Sequence, residues 1–376
     1  MYVSTKEGLD AFCELAAHEH VVAVDTEFIR EKTYFPRLCL VQVAAGDAIA
    51  AVDPILIDDL GPLAAIFEDA SVTKVLHSCT QDLEVILDGM GCSCAPVFDT
   101  QLAAAFLGMR QQCGLGDLVR AYCGVTLPKA DSLTDWARRP LDAEQLAYAE
   151  DDVRYLVRIY DRMMDELVER DRLAWLEPEM AELCDPARVR RDPREAYLRL
   201  RRAGSLTRSQ LAIAREVCAW REATAARHDI PRKWVVSDEV IVEVCKRAPT
   251  SVERLRRIRG TDQLSERDAR ELVAAVRTGR DCPAAECPEM PHRPRPTHEA
   301  DGVIDLMYAV LRVVSERSGV ATQLIATRDD LLEFMQDPAS SRLSSGWRWE
   351  LAGSTLERLL QGQIGLTVKK GRVEFL

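Results

Sequence analysis

The stretch VAVDTEFIRE, residues 22–31, places the tightest constraint on this chain. Val21 to Val24 form a short, β-branched apolar run of the kind that becomes a buried strand, and the run passes directly into Asp25 and Glu27. Two residues apart on a strand, these carboxylates project from one face. Such a pair either ends a strand at solvent or faces partners supplied from elsewhere in the chain. Together the two acids suit a hard divalent cation bound through oxygen, Mg²⁺ or Mn²⁺.

The rest of the first hundred residues supports a sheet around that strand. LCLVQVAA (38–45) and DAIAAVD (47–53) predict a hairpin turning at Gly46, and KVLHS (74–78) and PVFDT (96–100) predict two further short strands. Strands interleaved with helices indicate an α/β domain with a mixed sheet. From about residue 100 the pattern becomes helical. The charged stretch from Leu141 to Leu173 reads as a long helix, with Leu146, Val153, Leu156, Ile159 and Met163 near helical spacing.

Charge divides the 376 residues more sharply than the net of −12 conveys. Residues 1–170 carry a net of −15, residues 171–185 a net of −4, residues 186–280 a net of +10 and residues 281–376 a net of −3. A basic middle beside an acidic N-terminal part is the pattern of a polyanion-binding module attached to another domain, or of a salt-bridged solvated surface. The opening MYVSTKEGLD lacks the basic-then-apolar order of a signal peptide, and no apolar run approaches the roughly 20 residues that span a bilayer. Twelve scattered cysteines without a CxxC are expected to be reduced, buried thiols in a cytoplasmic protein. Cys92 and Cys94 are the pair close enough in sequence to hold a metal or a strained bridge.

Two Pro-punctuated breaks, CDPARVRRDPREA (184–196) and DCPAAECPEMPHRPRPTHE (281–299), separate helical segments. Cys282, Cys287, His292 and His298 in the second are too irregularly spaced for an ordinary zinc site. Between and after the breaks the chain repeats itself weakly. Thr207 with Gln210 forms a capping-box pattern, a helix starts at Ser237, and ninety positions later another starts at Thr327. A duplicated small helical domain, about 205–280 and 299–376, is expected, joined to an α/β domain of about 1–170 by a connecting segment, 171–204, and a Pro-rich linker, 281–298.

Two further motifs bear on the carboxylate pair. KVLHSCTQDLEVI puts Asp82 in the first turn of a helix after a strand, where an acid also simply favours the helix dipole. YAEDDVRYL puts Tyr148 and Asp152 one turn apart on one helix face. At these motifs the sequence resembles the DEDD superfamily of 3′–5′ exonucleases, in the branch with tyrosine in the third motif. Asp25 and Glu27 match its first motif, Asp82 the second, and Tyr148 and Asp152 the third. KADSLTDWARRPL (129–141), FDTQLAA (98–104) and GLGDLV (114–119) are similar to the ribonuclease D branch, the helical repeats resemble HRDC domains, and SSGWRWELAG (344–353) is similar to the second HRDC domain of that branch.

The resemblance implies an RNase H-like α/β exonuclease domain with a mixed five-stranded sheet, followed by two all-α HRDC-like bundles. It implies a 3′–5′ exoribonuclease that trims tRNA precursors and other small structured RNAs and releases nucleoside 5′-monophosphates. Two divalent cations, Mg²⁺ or Mn²⁺, would be held by Asp25, Glu27, Asp82 and Asp152, with Asp25 bridging both and Tyr148 orienting the attacking water. RNA would be gripped by the HRDC-like domains and the basic 186–280 region, without membrane attachment. A DNA exonuclease of the same superfamily and a non-catalytic RNA-binding scaffold are the alternatives; the ribonuclease D-like flanks and the intact five-residue set weigh against them. His77, at a strand end, reads as a structural histidine, and Lys129, Arg138 and Arg139 stay outside the catalytic set.

Overall fold

The apolar runs of the N-terminal part pair into one mixed sheet. In the computed structural model, which describes residues 1–128, 134–189, 192–290 and 298–376, strands β1 (Tyr2–Val3), β2 (Val21–Ile29), β3 (Arg37–Ala45), β4 (Ala48–Val52), β5 (Thr73–Leu76) and β6 (Val97–Asp99) lie in the order β1-β4-β3-β2-β5-β6. β2 is central, antiparallel to β3 and parallel to β5. The β3–β4 hairpin turns at Gly46, whose φ of +55° is the left-handed region that glycine adopts freely. The expected five strands are six. The extra strand, β1, is too short to show alternation, and tertiary pairing creates it: the Met1 carbonyl accepts from Ala51 N–H and the Val3 carbonyl from Asp53 N–H.

Helices cover both faces. Val22 and Val24 pack with α1 (Lys6–Ala16), α2 (Gly61–Glu68) and α3 (Thr80–Met90), whereas Ala23 faces the side of α4 (Thr100–Phe106), α5 (Leu115–Cys123), α6 (Ala143–Arg154), α7 (Leu156–Glu169) and α8 (Leu173–Leu183). The single long helix expected over 141–173 is broken at Tyr155. α6 lies against β2, β3 and β4, while α7 turns to pack on α4 and α5, and one straight helix cannot bury against both.

After a short helix α9 (Pro186–Val189) the first bundle follows: α10 (Arg208–His228), α11 (Arg232–Val235), α12 (Asp238–Arg247), α13 (Val252–Arg256) and α14 (Glu266–Arg280). Thr207 and Gln210 form the expected capping box and Ser237 caps α12. α14 crosses α10 so closely that a Cβ on Gly279 would lie 2.4 Å from Ile213 Cα. The second segment repeats the lengths of the first: α15 (His298–Ser318) has 21 residues like α10, α16 (Thr322–Ile325) has 4 like α11, and α17 (Arg328–Gln336), capped by Thr327, stands where α12 does. It is not all-α. A hairpin, β7 (Leu366–Lys369) and β8 (Arg372–Phe375), closes the chain around Lys370 and Gly371, both at positive φ, as a two-residue turn requires.

The two bundles are joined to the α/β domain differently. The first has its own core, running from Ala196 to Val276. Its link to the α/β domain is largely polar: Asp229 accepts from the Tyr34 and Phe35 amides at 3.0 and 3.1 Å, Tyr34 donates to Glu222 at 2.9 Å, and Arg232 stacks 4.7 Å from the Tyr34 ring. The second shares one continuous core with the α/β domain, Phe106, Ile159 and Leu176 lying in the same cluster as Met307, Leu331 and Trp347. Trp347 stacks on Trp175 and meets the edge of Phe106. Arg172 donates to the Phe106 and Ser318 carbonyls, at the ends of α4 and α15. Glu179 on α8 accepts from Trp347 Nε1 at 3.0 Å and from both terminal nitrogens of Arg348 at 2.5 and 3.0 Å, with side chains 14% and 8% exposed. Removing one partner of so buried a pair strands the other charge. Glu179→Ala is therefore expected to cost about 3–5 kcal/mol, measured by urea denaturation; a loss under about 1 kcal/mol would show the pair to be solvent-screened.

Candidate active site

The site forms where β2, α3 and α6 meet. Alternation along β2 sends Asp25 and Glu27 to the α6 side and Thr26 to the α3 side. On α6, started by a capping box between Asp142 and Gln145, Tyr148 and Asp152 share one face. One carboxylate oxygen each from Asp25, Glu27 and Asp152 lies within 4.8 Å of the others. Asp82 reaches the site from the other side of β2 and is not part of that three-residue cluster. Its Oδ1 accepts from Thr26 Oγ1 at 2.5 Å, so the residue between the two strand acids holds the acid of the second motif in place.

Asp82 is delivered by a tight turn from β5 into α3. Ser78 is left-handed there, at φ +62°. Asp99 clamps the turn: its carboxylate accepts from the amides of Ser78 and Cys79 at 3.3 and 2.8 Å and, as the cap of α4, from those of Gln101 and Leu102 at 2.8 and 3.0 Å. A single buried carboxylate thus fixes two helix starts. Asp99 and Thr26 are the site residues that sequence reasoning missed. PVFDT reads only as a strand, and the second pair of amides that Asp99 binds comes from twenty residues earlier.

Crowded, half-buried carboxyls resist ionisation. Burial first, then the charges of Asp82, Asp152 and Glu27, push Asp25 well above the usual carboxyl range. Burial and the neighbouring Asp152 and Asp82 push Glu27 up to about 8. Asp152 rises to about 7, mainly through burial, with the Tyr148 hydrogen bond pulling the other way. Asp82 rises to about 6, burial again outweighing the Thr26 hydrogen bond. Burial beside these acids raises Tyr148 as well, so its hydroxyl stays protonated at neutral pH. Among the described residues no Lys, Arg or His forms an ion pair with any of the four acids. An all-oxygen donor set with no basic partner fits a hard divalent cation.

The remaining candidates have other work. His77 Nδ1 lies 2.9 Å from Thr100 Oγ1, which donates to the Leu76 carbonyl, and burial lowers the histidine's pKa; this is a structural setting. Arg139 is consumed by Asp53, with Nε–Oδ2 at 2.5 Å and Nη2–Oδ1 at 2.9 Å, and by the Cys39 carbonyl. That anchor holds Trp136 with its ring centroid 6.1 Å from that of Tyr148. Arg138 is exposed, and Lys129 lies outside the described residues, as does His292. Cys92, Cys94, Cys282 and Cys287 are free thiols. A cavity of about 1420 Å³ lies between α3 and the first bundle, lined by Thr80, Glu84 and Asp88 on the side of α3 away from Asp82. It is not the catalytic pocket.

These pKa shifts set a pH dependence. Each acid's folded value lies above its unfolded value of about 4, so the folded chain binds the proton more tightly and its stability falls as pH rises from about 4 towards 8. In chelator the melting temperature is expected to fall across that interval, and saturating Mn²⁺ should raise it and flatten the fall. A melting temperature indifferent to both pH and Mn²⁺ would contradict the clustering.

Comparison with known proteins agrees with this geometry. Residues 1–168 match the 3′–5′ exonuclease family and residues 210–276 the HRDC domain family. A ribonuclease D of Acidiphilium cryptum is 39% identical over 99% of this chain and 96% of its own length. The crystal structure of Escherichia coli RNase D, described as an exoribonuclease involved in structured RNA processing, superposes with a TM-score of 0.82 at 32% identity, over 96% of this chain and 98% of that one. The catalytic core of Trypanosoma brucei RRP6 superposes with a TM-score of 0.54 at 26% identity, over 74% of this chain and 79% of that one. With its acids gathered around the middle of β2 and relatives matching along its whole length, the chain belongs to the ribonuclease D family and is a 3′–5′ exoribonuclease.

Proposed function

We propose that the enzyme trims the 3′ ends of tRNA precursors and other small structured RNAs in the cytoplasm, releasing nucleoside 5′-monophosphates with two divalent cations, Mg²⁺ or Mn²⁺. The observation that carries this reading is the convergence of Asp25, Glu27 and Asp152 within 4.8 Å, with Asp82 held beside them by Thr26. These four acids would hold the cations. Bound there, the cations would lower the pKa of water and neutralise charge at phosphorus and at the leaving 3′ oxygen. Tyr148, within hydrogen-bonding reach of Asp152 and 37% exposed, is placed to orient the attacking water by its hydroxyl; a phenol with a raised pKa is a poor base but a good donor. The exposed Tyr148 ring, packed beside the buried Trp136, offers a flat face against which a terminal base could stack.

The basic 186–280 region would hold the body of the RNA. Arg270, Arg277 and Arg280 on α14, with Thr250, line a pocket of about 170 Å³ that no acidic residue lines, and Arg277 makes no ion pair among the described residues. A second HRDC domain over 299–376 is supported by the repeated helix lengths and by the capped starts at Ser237 and Thr327. Its shared core with the α/β domain gives it a buttressing role, and its net charge of −2 suits it poorly to phosphate.

Two outcomes follow. Asp25→Asn should abolish turnover while the fold persists, and Tyr148→Phe should lower kcat by about 10²–10⁴ with cation affinity little changed. Both are read from single-turnover cleavage of 5′-labelled RNA and DNA strands, with Mg²⁺ or Mn²⁺ and with chelator, alongside calorimetry. Undiminished cleavage in excess chelator would refute the cation reading, and equal turnover of the DNA strand would refute the RNA preference. Replacing Arg270, Arg277 and Arg280 together by Gln should weaken binding of a hairpin RNA with a 3′ tail. The slope of log K against log salt should become shallower by about 2, at roughly 0.7–0.9 per lost phosphate contact. An unchanged slope would mean that the arginines form only a solvated surface.

A further inference from the structure

Gln42 lies at the centre of the sheet, on β3, in register with Asp25 on β2 and with Ala51 on β4. Cross-strand partners point to the same face, with Cβ atoms roughly 5 Å apart, so the glutamine side chain stands beside the Asp25 carboxylate on the face that α6 covers. It is fully buried, and neither its amide nitrogen nor its amide oxygen has a hydrogen-bond partner among the described residues. Its surroundings explain why. The sheet neighbours on that face, Leu40, Ala44 and Ala51, are apolar, and the residues that α6 buries, Ala149 and Val153, are apolar too. Asp25 is the polar group directly opposite, and Glu27 is the next along the strand.

A leucine or methionine would fill this position with similar volume and no polar atoms to desolvate. A buried primary amide with nothing to bind is a cost to the fold, and such costs gather where a site uses the group. An amide differs from a second acid in one respect that matters here. Its nitrogen donates to a carboxylate without adding negative charge to a cluster that already repels itself.

We infer that Gln42 is a positioning residue for Asp25: its amide N–H, which makes no hydrogen bond in this structure, donates to the Asp25 carboxylate when that group grips a divalent cation. This rests on the reading of Asp25 as a cation ligand. Gln42 touches neither substrate nor reacting atoms. It acts by restricting the carboxylate, as hydrogen-bond partners behind metal ligands commonly do, and loss of such a partner typically weakens metal affinity 10–100-fold.

The test uses the full-length protein and Gln42→Leu, with Gln42→Met as a second variant of similar volume. Thermal unfolding is followed in chelator, and Mn²⁺ binding is measured by calorimetry. In chelator both variants are expected to melt at or above the wild-type temperature, because an unpaired buried amide has been replaced by an apolar side chain. Both should bind Mn²⁺ about 10–100-fold more weakly. Wild-type Mn²⁺ affinity in either folded variant overturns the inference, whatever its melting temperature. A lower melt in chelator together with unchanged affinity assigns Gln42 to the core alone. Wild-type protein that takes up no Mn²⁺ overturns the cation reading of the carboxylates, and Gln42's role with it.

Discussion

Four carboxyl groups that repel one another are gathered about the middle of one strand, and the surrounding structure is arranged to withstand that repulsion. β2 is paired with β3 through Asp25 and Glu27 and with β5 over residues 21–23, so the two acids cannot swing apart without disturbing the sheet. Asp152 is fixed by a helix that starts in a capping box and packs across three strands. Asp82 comes from the opposite face, and its turn is pinned by the Ser78 and Cys79 amides, two of the four that donate to Asp99. Each support is neutral or acts through backbone amides. A lysine or arginine placed among the acids would relieve the repulsion and, by the same token, occupy the place of a cation.

That arrangement was legible in the sequence only where it follows a short period. The pair on β2 shows itself because strand alternation puts positions 25 and 27 on one face after an apolar run. Tyr148 and Asp152 show themselves because residues four apart align on a helix. Asp82 could be placed at a helix start, but its approach from the far side of β2 could not be read, since that depends on the left-handed Ser78 and on Asp99, contacts made across twenty residues. Thr26 looked inert because its partner is 56 residues away. β1 has two residues and no pattern to read, whereas the Lys370–Gly371 turn carried a hairpin signal that the helical reading of the last segment passed over. The break at Tyr155 has no Pro or Gly to announce it; packing on two different surfaces imposes it.

The two helical repeats show how one local pattern takes up different mechanical roles. Both begin with a helix of 21 residues and continue through a four-residue helix into a capped third. The second presents Met307, Leu331 and Trp347 to the α/β domain, and burying that apolar surface makes the two one cooperative body. The first keeps most of its apolar residues for its own core and meets the α/β domain through Asp229, Glu222 and Arg232, polar contacts around Tyr34. Low-area polar junctions open more easily than shared cores, and a cavity of about 1420 Å³ beside this junction leaves room for the first bundle to shift.

The junction also resolves the charge asymmetry. A net of −15 on residues 1–170 would repel RNA if its field reached far, but at physiological ionic strength the Debye length is about 8 Å. Beyond that distance the acidic surface and the basic bundle are each felt only by the part of a polyanion directly against them. On the proposal that the first bundle holds the RNA, its attraction cannot pull a distant 3′ end into the site, and the bundle has to stand close enough for one RNA to touch both. The contacts with Tyr34 and Phe35 achieve this, because those residues lie in the loop that continues β2 beyond Asp25 and Glu27. The strand that carries the acids is thus followed, within eight residues of Glu27, by the attachment point of the basic bundle. Reach, more than long-range steering, sets the geometry between binding and cleavage.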